Sequence, residues 1–139
     1  MAAVGIVGGL GVDATVHYYE RLTAACKARG FAPDLAIVHA DVDHGQNLIR
    51  AGRLDGLATY LAGFIERLAQ AGAEHAVLPA VTPHICIREL APLLPIPLIN
   101  IVEVLAVELV RRRLRRVALL GSIFTVQGCL WASLPASTS

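Results

Sequence analysis

Charge is scarce and nearly balanced in this sequence. Of 139 residues, 17% are Asp, Glu, Lys or Arg, and the formal net charge is +1. That balance supplies no general electrostatic attraction to nucleic acid, acidic polymers or a membrane surface, and leaves a small neutral or anionic molecule as the expected ligand. Cysteine is scarce as well. Cys26, Cys86 and Cys129 are odd in number, far apart and without a C-x-x-C pair, so they read as reduced thiols of a cytoplasmic protein rather than a disulfide or metal framework. Met1-Ala2-Ala3-Val4 lacks the positive charge of a secretory leader, and Gly8, Gly9 and Gly11 break the apolar run behind it.

Long uninterrupted apolar runs are missing too. Arg111, Arg112, Arg113, Arg115 and Arg116 precede an uncharged stretch from Val117 onward, which has the outline of a positive flank before a membrane span. Gly121, Ser122, Thr125, Gln127, Gly128 and Ser133 interrupt that stretch well short of the about 20 predominantly apolar residues a spanning helix needs. The arginines fit a solvated helix end, where cations complement the negative end of the helix dipole. Nucleotide signatures are absent: Gly8-Gly9-Leu10-Gly11 is not G-x-G-x-x-G, and no Gly-Lys-Ser/Thr marks a phosphate loop.

What the sequence has is apolar mass, 55% of its residues. A chain of this length buries roughly 70% of its unfolded surface, enough for one core without disulfides or metal. Val4-Gly5-Ile6-Val7 predicts a strand, followed by a glycine loop and a helix that Asp13 caps and that runs to about Arg29. Val16, Tyr19, Leu22 and Cys26 share its apolar face, and Gly30 suits a left-handed end. Leu35–His39 predicts a second strand running into a polar loop, Asp41 to Gly45. A helix follows over Leu54 to Ala71, with Leu57, Leu61, Phe64, Ile65 and Leu68 as its stripe and Gly72 closing it. Strands are expected at Ala76–Leu78, Leu98-Ile99 and Val117–Leu120. Helices are expected from Pro83 to before Pro92, from about Val102 to Arg113, and from Thr125 to about Leu134.

Strands too apolar to have one wet face, alternating with helices, indicate an α/β doubly wound parallel sheet with helices on both faces. Ligands in such sheets bind at the carboxyl ends of strands, so residues 8–13, 39–47, 79–84 and 121–127 are the loops of interest. The glycine loop either brings backbone close to an anion at a helix N-terminus or is simply a tight turn with Asp13 as cap. If the second strand continues, His39, Asp41 and Asp43 share one face, with His44 beside them, and converge on a metal or substrate; as solvated loop residues they hold neither. Asp41 and Asp43 would also repel an acidic substrate.

The order of features through nearly the whole chain resembles the aspartate/glutamate (and hydantoin) racemase superfamily, in particular its amino-acid racemase branch. The resemblance rests on Gly5-Ile6-Val7-Gly8-Gly9-Leu10-Gly11 followed by Ala14-Thr15 and Tyr18-Tyr19, and on Gln70-Ala71-Gly72-Ala73 before the third strand. It continues through Pro79-Ala80-Val81-Thr82-Pro83-His84, Ile96-Pro97-Leu98-Ile99-Asn100-Ile101-Val102-Glu103, and Val117-Ala118-Leu119-Leu120-Gly121-Ser122 with Thr125. The resemblance implies one half of a two-domain fold, residues 1–124, with a terminal helix and connection at 125–139. It also implies a cofactor-independent isomerase: a cysteine from each half flanks the α-carbon of an amino acid, one thiolate removing the proton while the opposing thiol delivers another.

The family turn reads Pro-Cys-Asn-Thr-Ala-His, so Ala80 stands at the cysteine and Val81 at the asparagine, and alanine accepts no proton. Thr82 and His84 match. Thr82 is implied as a carboxylate or amide partner, and His84 as a positioning group or replacement acid/base; alternatively Thr82 caps a helix with Pro83 and His84 in its first turn. Cys86 lies about 200° around that helix from His84 and packs instead. Substrate contacts are expected from Gly8, Gly9, Leu10, Asp41, Val81, Thr82, Gly121, Ser122 and Thr125, with no metal and no cofactor. The second cysteine of the family lies beyond the residues matched here, so the chain reads as truncated. Its expected function is that of a racemase-like isomerase for a small acidic amino acid. The alternative is a non-catalytic homologue that binds a small carboxylate or a partner chain. Apolar surface left by a missing half predicts a homodimer.

Overall fold

Short β-branched runs alternating with amphipathic helices build a parallel sheet of four strands in the order β2-β1-β3-β4 in the computed structural model, which describes residues 2–127 and 129–131. The strands are β1 (Val4–Gly8), β2 (Leu35–His39), β3 (His75–Val77) and β4 (Leu98–Ile99). The helices are α1 (Val12–Ala28), α2 (Val42–Arg50), α3 (Leu54–Gln70), α4 (Ile87–Leu90), α5 (Ile101–Arg111) and α6 (Ile123–Gln127). Chain order runs outward from β1 to β2 on one side and from β1 through β3 to β4 on the other. The carboxyl ends of β1 and β3 therefore diverge at a topological switch point, the place where a doubly wound sheet opens a crevice.

The core lies between the sheet and α3. Leu57, Leu61, Ile65 and Leu68 recur at spacings of three and four, share one helical face, and are buried against Val7, Ala76 and Leu78. Gly5 lets this helix sit close: a Cβ there would lie 2.9 Å from the Leu68 Cβ. Gly72, at φ +92°, ends the helix in the left-handed region. The other face of the sheet carries α1 and α5, which leave an apolar groove between them with Ile6 and Val77 in its floor.

Four local expectations are corrected. Asp41 to Gly45 is not a loop but opens α2; the strand stops at His39, and Asp41 becomes the N-cap, accepting from the Asp43 amide at 2.9 Å. His39, Asp41 and Asp43 consequently share no strand face. Asp13 does not cap α1. Gly11 occupies the cap position, and the Thr15 hydroxyl closes the turn by accepting from Gly9 N at 3.2 Å and donating to Gly11 O at 2.8 Å. Val117–Leu120 forms no strand, because none of the described strands lies beside it to complete a ladder, and Leu120 is 92% exposed. The last helix starts earlier, at Ile123, ends at Gln127 and gives way to a 3-10 turn at Cys129–Trp131; Leu134 lies outside the described residues. The arginine run behaves as expected of a solvated helix end: Arg111 and Arg112 grip Glu108 at 2.7 and 2.6 Å and hold its carboxyl at about 2.

Candidate functional site

The loops after β1 and β3 face each other across the switch point, with the N-terminus of α6 laid over them. Three hydroxyls meet there. Thr82 Oγ1 lies 2.9 Å from Thr125 Oγ1 and 3.3 Å from Ser122 Oγ, and the latter two are 3.1 Å apart. Thr82 is therefore not a helix cap. Val81 holds the position before the 3-10 turn Thr82–Cys86, and no side chain caps it. Each hydroxyl carries one donor and can rotate, so the triangle can open to donate to an incoming oxygen.

Beside the triangle is a cavity of about 200 Å³ whose wall includes Leu10, Gln46, Arg50, Ala80, Thr82 and Ser122, with Ile49, Leu57 and Phe124 as apolar sides. It is smaller than the roughly 300–1,000 Å³ of drug-sized pockets and suits a ligand of amino-acid size. Arg50 is the one charged residue in the wall. Its guanidinium donates to Gln46 Oε1 at 3.0 Å and Asn47 Oδ1 at 3.3 Å, both neutral, and no carboxylate pairs with it among the described residues. Its planar fork is suited to bidentate capture of a carboxylate.

The structure brings Leu10, Thr82 and Ser122 into the wall, with Thr125 buried behind them. Gly8, Gly9, Val81 and Gly121 are not among the residues of the wall. A Cβ on Gly8 would meet Thr15 Cγ2 at 2.6 Å, and Gly9 sits at φ +87° with its amide already bonded to Thr15. Gly121 plays the same part under Thr125, whose Cγ2 a Cβ would approach to 2.9 Å. Asp41 does not line the cavity: its carboxylate caps α2 and its amide donates to the Tyr60 hydroxyl at 2.8 Å. The charge repulsion expected of Asp41 and Asp43 thus has no counterpart in this wall. Arg50 falls outside the segments singled out from the sequence, and Gln46 falls inside residues 39–47 without a role assigned to it; both ride on α2.

His84 lies behind the turn, 1% exposed and outside the cavity wall. Its Nδ1 donates to Ala80 O at 2.9 Å and Val81 O at 3.3 Å, tying the turn that presents Thr82. Burial lowers its pKa below 6.5, outweighing those two carbonyls and the Glu103 carboxylate, which favour the charged form. Burial, aided by Glu89, pushes the Cys86 thiol up to about 12, and its Sγ donates to Pro83 O. A thiol so placed is neither a base nor a nucleophile at neutral pH. Among the described residues no three His, Cys, Asp or Glu side chains converge as a metal site, and no helix is long and apolar enough to cross a membrane.

A profile of the Asp/Glu/Hydantoin racemase family matches residues 7–136. The fold superposes on a candidate Asp/Glu racemase from Yersinia pestis with a TM-score of 0.84 at 23% identity, covering 94% of this chain and 58% of that one. An aspartate racemase homologue from Pyrococcus horikoshii OT3 gives a TM-score of 0.75 at 26% identity, covering 91% of this chain and 57% of the other. The chain thus spans less than three-fifths of the length of either structure.

Proposed function

Because the chain belongs to the Asp/Glu/hydantoin racemase family, we propose that its switch-point cavity binds a small amino acid or related acid by its carboxylate, and that this chain alone does so without exchanging the α-proton. One observation carries the reading. The wall offers a cation, an amide and hydroxyls in Arg50, Gln46, Thr82 and Ser122, but Ala80 puts a methyl group where the family turn has its cysteine. Arginine stays protonated and neutral hydroxyls are far too weak as acids or bases, so nothing in the wall takes or gives a proton near pH 7. A positioned acid/base group contributes about 10²–10⁴-fold, and the site lacks that contribution.

The ligand class follows from the same wall. A single guanidinium and no acidic side chain favour an anion, and an acid with a second carboxylate gains from both Arg50 and the hydroxyl triangle. Titrating the protein with succinate, aspartate and glutamate by calorimetry tests this. Saturable binding that falls about tenfold in Arg50→Gln, the loss expected for a charge-assisted hydrogen bond, supports it. No heat from any of the three acids overturns it.

Cofactor-independent racemisation is the second reading. It is favoured by the solved relatives, which extend well beyond the matched region and so have room for acid/base groups this wall does not hold. Under that reading a second half or a second copy supplies the proton-transfer groups. Self-association is expected to use the apolar groove between α1 and α5, and a monomer in sedimentation at micromolar concentration counts against it. The free, buried thiols Cys26 and Cys86 support residence in a reducing compartment, the cytoplasm.

A further inference from the structure

The polar part of the switch-point cavity carries charge of one sign only. Arg50 is the charged residue of its wall, and its guanidinium donates to the neutral oxygens of Gln46 at 3.0 Å and Asn47 at 3.3 Å. Among the described residues no carboxylate stands in that wall, and residues 132–139 contain neither Asp nor Glu. The turn that presents Ala80 and Thr82 withholds backbone acceptors as well. His84 Nδ1 donates to Ala80 O at 2.9 Å and Val81 O at 3.3 Å, the His84 amide donates to Val81 O at 3.0 Å, and Cys86 Sγ donates to Pro83 O at 3.3 Å. His84 is 1% exposed and Cys86 is buried, so these three carbonyls are directed to groups inside the fold.

An amino acid therefore brings to this wall one charge that it answers and one that it does not. The carboxylate meets Arg50 and the hydroxyls of Thr82 and Ser122. An α-ammonium meets neutral oxygens at best, beside a guanidinium that no carboxylate has neutralised, and the apolar sides of Ile49, Leu57 and Phe124 offer it nothing. Like charges a few ångströms apart repel, and an ion that enters an apolar recess loses hydration that must be replaced. Resting on the carboxylate reading above, we propose that this cavity selects small dicarboxylic acids without an α-amino group over the amino acids of the same skeleton. Arg50 sets the preference, since it attracts a carboxylate and repels an ammonium two bonds away from it. A hydroxyl in the ammonium's place is neutral and is accommodated, because the hydroxyls of Thr82, Ser122 and Thr125 can donate to it or accept from it.

The test is a calorimetric titration of the whole chain at neutral pH with succinate, both enantiomers of malate and both enantiomers of aspartate. Succinate is expected to bind about tenfold more tightly than either aspartate, the size of one charge-assisted hydrogen bond, and at least one malate to stay within about threefold of succinate. Gln46→Glu adds a negative charge to the wall with little change of shape, and Arg50→Gln removes the positive one. Both variants, checked for folding by circular dichroism, should weaken succinate and bring the succinate-to-aspartate ratio down to about threefold or less. Aspartate of either hand binding as tightly as succinate overturns the selection and leaves the carboxylate reading standing. So does weak binding of both malates, which would make bulk rather than charge the cause, or a ratio that neither variant changes. No heat from any of the acids overturns the carboxylate reading and this one with it.

Discussion

The two faces of the sheet are built from similar residues and end up in opposite states. On the α3 face, Leu57, Leu61, Ile65 and Leu68 are shut away from water. On the α1/α5 face, Val104 is 56% and Leu105 39% exposed, and the groove between the helices stays open. Each set lies on one face of its helix. The difference is that α3 rests on a sheet surface that Gly5 and Ala76 leave flat, whereas α5 follows a strand of only two residues and has little sheet to cover. Apolar periodicity therefore identifies a helix and its sticky side without saying whether anything covers that side.

Truncating one residue on each face separates the filled side of the sheet from the open one. Leu61→Ala should cost about 2–5 kcal/mol in urea unfolding, because it opens a cavity in a filled core. Val104→Ala, in the groove and 56% exposed, should stay within about 0.5 kcal/mol in the same assay, since it removes a methyl pair already largely in water. Equal losses would mean that the α1/α5 face is buried in solution. At the site, Thr82→Ala should weaken succinate binding about three- to tenfold by calorimetry, the effect of one neutral hydrogen bond and somewhat more if the Ser122–Thr125 pair reorganises.

The smallest effect is on pH dependence. His84 has a folded pKa below the unfolded value of 6.5, with Glu103 of α5 and Arg88 and Glu89 of α4 around it. The unfolded chain then binds a proton that the folded chain refuses, so His84 adds stability above pH 6.5 that is lost as pH falls from 6.5 through the lowered folded value. Denaturation midpoints across that window should decline less steeply in His84→Asn, which keeps a short donor for the turn but cannot titrate. An unchanged slope would show that the ring is solvated.

Much of the sheet was legible because its signals are local. Leu35–His39 and Leu98–Ile99 form strands over the residues expected, and α3 begins at Leu54. The carboxyl-edge rule led to Leu10, Thr82 and Ser122. Arg50 and Gln46 were hidden because α2 opens on Asp41, Asp43 and His44 and contains Gly45, a polar glycine-bearing stretch with the look of a loop. Asp41 as cap, with Leu48 and Ile49 falling on the buried side, was the signal available. Val117–Leu120 shows the opposite error. Its composition fits a strand, but a strand exists only in a ladder, and periodicity cannot supply the neighbour.

On the proposed reading, Ala80 leaves the carboxylate-binding wall without a proton-transfer group. Loss of the α-proton signal of aspartate and glutamate in D₂O, followed by NMR with native chain and with Ala80→Cys, tests it most directly. The native chain should give no exchange and Ala80→Cys measurable exchange, because the substitution puts a thiol in the cavity wall. Exchange by the native chain that survives removal of trace contaminants and disappears in Arg50→Gln would contradict it, showing that this wall already moves the proton.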